Sequence, residues 1–327
     1  MQAGLRVGMV GTDIMHAFEF TSIINCAEDD TFPMMAMRPM DPRMEVRVAT
    51  VRREALAAPA PRVTGADLRR DPNFGPARVV SWWSEDQAAL QAAAARLGVP
   101  DAAKSLAELL DAVDVVWICT KSAASHYPLA LAALKAGCHV FVDKPFTDTY
   151  REAAELLDLA AQRGQILASS SPWRWAPVVQ HLKAQMGSLG ALRSVLCSAP
   201  AIDGAFYLTH SADVVDELVG ASPAEVTLLH GSVHDSLIAD YPGGTRAIIN
   251  GMREIGWVRH IVLFGEHGYL EGEITNVQRD LGKVELVRRF VAAAAQGRSP
   301  LDRRQMEHVM RLITEPAAPR PVARGAQ

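Results

Sequence analysis

At 327 residues and 49% hydrophobic content, the chain can bury a sizeable core and is long enough for two domains. A formal charge of −4 and a pI near 6.2 exclude an electrostatic case for nucleic acid or an anionic membrane surface. Cys26, Cys119, Cys138 and Cys197 show no Cys-x-x-Cys spacing, no apolar run is long enough to span a bilayer, and the N-terminus lacks signal-peptide order, so a reduced cytoplasmic setting is expected.

Leu5–Gly11 is a short apolar strand ending in glycine, and Thr12–Ile24 can be helical. Strand, tight turn and helix at the start of a chain form the entry to a dinucleotide-binding fold. The glycine fingerprint is eroded, because Asp13 and His16 stand at its second and third positions. Asp13 brings a carboxylate to the place a pyrophosphate approaches, so phosphate cradling rests on backbone N–H groups around Thr12.

From Asp29 to Pro76 the chain is rich in Met and Pro without periodicity, which reads as gap-filling packing or an adaptable lid. Glu45–Val51 alternates like a strand, and so does Arg78–Trp83. Arg78–Trp83 is preferred as the second strand because Ser84-Glu-Asp-Gln87, a capping-box pattern, leads directly into an Ala-rich helix ending at Leu97. This choice bears on the cofactor. A ribose-binding position near Val51–Arg52 favours a 2′-phosphate, whereas one near Ser84–Glu85 is neutral or leans to NAD.

Ser105-Leu-Ala-Glu108 is a second capping pattern, Val113–Thr120 a buried strand, and Ser125–Ala136 a helix closed by Gly137. Val140-Phe-Val-Asp-Lys-Pro-Phe146 is then an apolar strand stopped by an acid, a lysine and a proline. Strand–helix–strand repeats with short links demand a parallel sheet with right-handed crossovers. Thr120, Lys121, Asp143 and Lys144 therefore line one crevice at the carboxyl ends of the strands. A lysine fixed there can donate a proton, polarise a carbonyl or hold an anion; a lone Asp-Lys-Pro favours a surface lysine closing a strand, and the surrounding pattern reverses that preference. Thr149-Tyr-Arg-Glu152 caps the helix that leaves this domain.

Gln165–Ser171 reads as a strand, followed by Pro172-Trp-Arg-Trp-Ala-Pro177. Arg174 can clamp an anionic or hydroxylated ligand, or pack by cation–π contact at a domain junction. Thr209–Gly220 is an amphipathic helix with Thr209 or Ser211 as cap. In it His210 and Asp213, spaced i, i+3, share a face, so His210 can act as acid–base and Asp213 can fix its tautomer. A capping or core histidine is the bland alternative. Glu225–Leu229, Thr245–Asn250 and His260–Phe264 alternate as a mostly antiparallel sheet with one open face. His230 and His234 lack further ligands at metal spacing, so no metal is expected. The proline-rich end is read as a disordered tail, 316–327.

Laid out this way, the chain resembles the Gfo/Idh/MocA oxidoreductase family over nearly its whole length. The resemblance is carried by Leu5–His16, by Val113–Pro145 with its Ala-Gly and Asp-Lys-Pro elements, and by the His-x-x-Asp helix His210–Gly220. The resemblance implies a Rossmann domain over 1–148 binding NAD or NADP, and an α/β domain over 149–315 whose sheet supports the substrate. It implies a homodimer or homotetramer, and hydride transfer at a hydroxyl of a sugar, cyclitol or related small molecule. It assigns Lys144 as the catalytic lysine and His210 as the acid–base. It places the cofactor against Gly11, Thr12, Asp13, Ser84, Thr120, Lys121, Asp143 and Lys144, and the substrate against Lys144, Arg174, Tyr207, His210 and Asp213. Phe206 departs from the pattern, since the family's sugar dehydrogenases carry an aspartate there. Tyr207 or Asp203 substitutes, or Lys144 and His210 suffice, or the reaction is not a standard polyol oxidation. The alternatives are transient oxidation that drives elimination or bond cleavage, and a non-catalytic nicotinamide-binding protein. The aromatic content around the site hints at a substrate less polar than a free polyol.

Overall fold

The computed structural model describes residues 4–25, 77–201 and 205–316, without the side chains of residues 205 and 206. The Met/Pro-rich segment, the candidate strand 45–51, Cys26, Asp203 and all of the expected tail except Pro316 lie outside the described residues, as does the Phe206 side chain.

The first sheet has the order β3-β2-β1-β4-β5-β6 with every neighbouring pair parallel. Its strands are β1 (Arg6–Val10), β2 (Arg78–Trp83), β3 (Asp101–Ala102), β4 (Val115–Ile118), β5 (His139–Val142) and β6 (Leu167–Ser169). Between them run helices α1 (Met15–Ile24), α2 (Gln87–Leu97), α3 (Leu106–Ala112), α4 (Ala123–Ala136) and α5 (Tyr150–Arg163). Central strands buried on both faces explain the unbroken apolar runs at 115–119 and 140–142. Arg78–Trp83 is indeed the strand beside β1. The sheet continues past the expected boundary at 148, because α5 and β6 complete it.

Helix ends follow local chemistry. Thr149 and Glu152 form a full capping box at α5, and Ser105 Oγ accepts the Glu108 N–H at α3. The expected cap of α2 is corrected: Asp86 accepts the Ala89 N–H, while Ser84 is bonded elsewhere.

The second sheet, of order β12-β11-β7-β10-β9-β8, is antiparallel except between β7 and β10. Its strands are β7 (Leu192–Pro200), β8 (Glu225–His230), β9 (His234–Asp240), β10 (Arg246–Met252), β11 (His260–Gly265) and β12 (Gly268–Glu273). One face packs on α6 (Pro177–Gln185) and α7 (Ala205–Val219) through Val179, Leu182, Leu208, Ala212 and Val215. Two C-terminal helices, α8 (Asn276–Gln296) and α9 (Arg303–Thr314), turn back toward the first sheet. Phe290 of α8 meets Trp117 and Phe141 at ring distances of 5.1 and 5.4 Å, inside the first core. At Gly282 a Cβ would stand 2.2 Å from the Pro172 carbonyl oxygen, so α8 lies directly on the 3₁₀ turn Pro172–Trp175.

Candidate active site

The carboxyl ends of β1, β2, β4 and β5 meet at the crossover between β1 and β4, where open parallel sheets bind ligands. Gly11 has φ +100°, and a Cβ there would sit 2.3 Å from the Cys119 carbonyl oxygen. Only glycine lets the first turn lie this close to the end of β4. Thr12 Oγ1 and Ser84 Oγ are hydrogen-bonded at 2.8 Å, joining the ends of β1 and β2. Asp13 Oδ2 accepts the Lys121 N–H at 2.9 Å, which directs the carboxylate to the loop after β4. Ile14, at the cap position of α1, makes no side-chain cap bond. The first N–H groups of α1 are thus uncapped beside a glycine turn and two hydroxyls. This arrangement fits a pyrophosphate and ribose despite the eroded fingerprint. Thr120 Oγ1 is hydrogen-bonded to Ser125 Oγ at 2.5 Å, inside the loop that opens α4.

Asp143 and Lys144 follow β5 and are buried, as the surrounding pattern rather than the lone Asp-Lys-Pro implies. His16 Nδ1–H donates to Asp143 Oδ2 at 2.6 Å. Burial works against the Asp143 carboxylate, yet His16, then Lys144 and His126, hold it below the usual carboxylate range. Buried His126 bridges the strand ends, with Nδ1 2.7 Å from the Pro145 carbonyl and Nε2 3.0 Å from that of Thr120. Nearby, Glu19 of α1 and Lys283 of α8 form a buried ion pair that ties the C-terminal helix to the first domain.

The opposite wall comes from α7 and the turn at 172–175. His210 is buried, stacks on Trp173 at 4.5 Å and meets the Tyr207 ring at 5.2 Å. Lys144 Nζ lies 5.7 Å from the centre of that same Tyr207 ring. Burial first, then the charges of Lys144, His16, Arg259 and Lys283, depress the basicity of His210 well below the ordinary imidazole range.

Three expectations need correction. Helix α7 begins at Ala205, so Thr209 and Ser211 are interior positions rather than caps. Asp213 does not touch His210; it accepts the Ser171 N–H at 2.7 Å and the Arg174 Nε–H at 2.8 Å. The partner of His210 Nδ1 is Ser171 Oγ, at 2.6 Å. Arg174 is neither a ligand clamp nor a cation–π contact. Its guanidinium is fully buried and donates to Asp213, Asp216 and Glu217 at 2.6–2.9 Å. With both groups committed to each other, neither Arg174 nor Asp213 is available to a substrate. The cation over Trp173 and Trp257 is instead Arg259, at 5.5 and 5.0 Å from the ring centres.

Sequence reasoning missed Ser171, His126, Arg259 and the His16–Asp143 pair. The run Ser169-Ser-Ser171 before Arg174 was a visible signal for Ser171; the others depend on long-range packing. Among the described residues no cluster of His, Cys, Asp or Glu can hold a metal, and no helix is long and apolar enough to cross a membrane. Cys119, Cys138 and Cys197 are free and buried.

A family profile described as "Oxidoreductase family, NAD-binding Rossmann fold" matches residues 62–171. A putative oxidoreductase, YceM, of Salmonella typhimurium is 40% identical over 89 residues, covering 27% of this chain and 29% of the relative. UDP-N-acetylglucosamine 3-dehydrogenase of Acidithiobacillus ferrooxidans is 33% identical over 131 residues, covering 37% and 41%. The chain thus spans less than half the length of these curated relatives. Among solved structures, myo-inositol 2-dehydrogenase from Lactobacillus plantarum superimposes with TM-score 0.72 at 14% identity, covering 95% of each chain. GenD2 from gentamicin A biosynthesis, in complex with NAD, gives TM-score 0.72 at 18% identity, covering 96% and 93%. At such identities these two likenesses establish the fold. The matched profile spans the Lys144–Pro145 strand end, and over residues 62–171 the chain is similar to the Gfo/Idh/MocA oxidoreductase family.

Proposed function

We propose that the protein is an NAD-dependent oxidoreductase acting on a carbinol or carbonyl carbon of a sugar-like, cyclitol or related small molecule. The observation that carries this is the convergence of Lys144 and His210 on Tyr207 at the strand ends, beside a turn suited to a dinucleotide. Nicotinamide, when bound, supplies or accepts the hydride. Gly11, Thr12, Asp13, Ser84, Thr120 and Lys121 hold the dinucleotide in this proposal. Lys144 polarises the reacting oxygen and exchanges its proton, and His210 completes the hydrogen bonding of that oxygen. Tyr207 and Trp173 wall the pocket, and Tyr207 stands in the region where the missing aspartate would be expected. NAD is favoured over NADP because the segment after β2 reads Ser84-Glu85-Asp86, two carboxylates and no cation for a 2′-phosphate.

The test is fluorescence titration with NADH and NADPH. Turnover is then measured with NAD and a panel of myo-inositol, D-glucosides, D-xylose and UDP-N-acetylglucosamine. Tighter binding of NADH, and oxidation of at least one compound, support the proposal. Lys144→Ala should retain NADH binding and lose about 10²–10⁴-fold in turnover. Binding of neither dinucleotide would sink the enzyme reading.

The second sheet's outer face favours self-association. Glu271, Val262, Leu196, Ile248, Ile238 and Thr227 form one cross-strand row, apolar in its centre, on the face away from α6 and α7. Phe264 and Tyr269 are 43% and 61% exposed at one edge of this face. A second copy of the chain, packed sheet to sheet, would cover it. Sedimentation of the wild type and of Ile248→Lys tests this: an oligomer in the first and a monomer in the second are expected.

A further inference from the structure

His210 and His16 are both anchored through Nδ1, but to partners of opposite hydrogen-bonding character. Asp143, an ionised carboxylate, can only accept, so His16 carries its proton on Nδ1. Ser171 has one hydroxyl proton and two lone pairs. Among the described residues two polar groups lie within reach of its Oγ: the Trp173 N–H, at 3.1 Å, and His210 Nδ1, at 2.6 Å. The Trp173 N–H is a donor and occupies a lone pair. Were His210 Nδ1–H also a donor, Oγ would accept twice and its own hydrogen would have no acceptor. Ser171 is fully buried, so no solvent would take that hydrogen. Every group is satisfied when Oγ–H donates to an unprotonated Nδ1, which leaves the ring hydrogen on Nε2.

The cage around this pair allows little change of orientation. Asp213 holds the Ser171 N–H, Trp173 stacks on the imidazole at 15° between planes, and Tyr207 closes an edge. Lys144, His16, Arg259 and Lys283 bring positive charge, and burial adds to their effect, so the second proton is resisted.

We propose that Ser171 is a positioning residue that holds His210 as a neutral imidazole with its hydrogen on Nε2, so that His210 offers the substrate oxygen a hydrogen-bond donor and leaves proton exchange to Lys144. The proposal rests on the oxidoreductase reading for its last clause only. When the carbon gains hydride with its electron pair, the oxygen takes one proton from the Lys144 ammonium, and the amine recovers a proton from solvent. In oxidation the same proton returns to the neutral amine. His210 keeps its hydrogen throughout and stabilises the charge on oxygen.

The decisive experiment is two-bond ¹H–¹⁵N correlation NMR of the ¹⁵N-labelled full chain without ligand, between about pH 6 and 8, across the ordinary imidazole range. His210 should show an unprotonated Nδ1 and a protonated Nε2 throughout. Ser171→Thr should keep this pattern. Ser171→Ala should mix the tautomers, a change that a merely structural serine would not produce. A protonated Nδ1 in the wild type overturns the proposal. The second arm compares turnover of His210→Gln and His210→Ala on the panel above. Glutamine keeps an N–H donor but carries no proton, so it should exceed alanine by about 10-fold or more. Equal loss in both overturns the donor role. If NMR gives the expected tautomer and the wild type turns over none of the panel, the oxidoreductase reading fails while the tautomer assignment stands.

Discussion

Two arginines buried in the second domain, Arg174 and Arg259, show how differently one fold treats the same side chain. Arg174 is enclosed by three carboxylates, and Asp216 also meets His308 Nδ1 at 2.8 Å. Desolvation opposes its charge, but the carboxylates push the guanidinium above its ordinary basicity. Arg259 donates to the Ile274 carbonyl and to Asn276 Oδ1, both neutral, and lies over two tryptophans. Burial brings it down to about 10. The first arginine neutralises an acidic cage. The second leaves positive charge in the wall beside His210. A buried ion cage is a matter of folding, whereas a buried cation with no carboxylate hydrogen bond shapes the electrostatics of its neighbours.

The sharpest way to break this contrast is Arg174→Met. It leaves three buried carboxylates facing one another, and a loss of about 3–5 kcal/mol is expected in urea denaturation. Arg259→Met removes a charge with no carboxylate partner among the described residues, so its cost should stay below about 2 kcal/mol. Equal costs would erase the distinction.

A smaller effect is read in the pH dependence of stability. His210 binds a proton less readily in the folded chain than in the unfolded one. As pH falls below about 6.5, the unfolded state gains a proton that the folded state refuses, so stability is lost on the acid side. His210→Gln should remove this loss, up to about 1.4 kcal/mol per pH unit below that point. Asp213 works in the opposite sense, because burial pushes it up to about 6 against the pull of Arg174. Its contribution rises as pH falls from about 6 towards 4, so the comparison must be made against the variant and not against a flat baseline. The smallest effect is Arg259→Met on His210 itself: the imidazole should titrate at higher pH than in the wild type, by NMR.

The first sheet was legible because its signals are local. Apolar runs, capping residues and the Asp-Lys-Pro stop each lie within a few residues of the element they define, and β1, β2, β4 and β5 appear where those signals place them. Strands β7, β9 and β12 passed unread, since a half-buried antiparallel strand with serines and glycines carries a weaker pattern. The site divided in the same way. Lys144 and His210, read from their frames, both approach the Tyr207 ring. Arg174 and Asp213 were misassigned because two residues on separate elements, 39 apart in sequence, chose each other rather than the crevice. The i, i+3 spacing of His210 and Asp213 was real, but a shared helix face does not require contact when a third element, the turn at Ser171, comes between.

The return of α8 onto the first sheet has a consequence for synthesis of the chain. Phe290 closes the aromatic cluster of Trp117, Phe141 and Phe20, and Lys283 is the ion partner of Glu19, so the dinucleotide domain lacks part of its interior until residues near the C-terminus have left the ribosome. An N-terminal fragment ending after β6 would expose that cluster to water. A nascent chain stalled before α8 therefore presents this apolar surface to aggregation or to a chaperone.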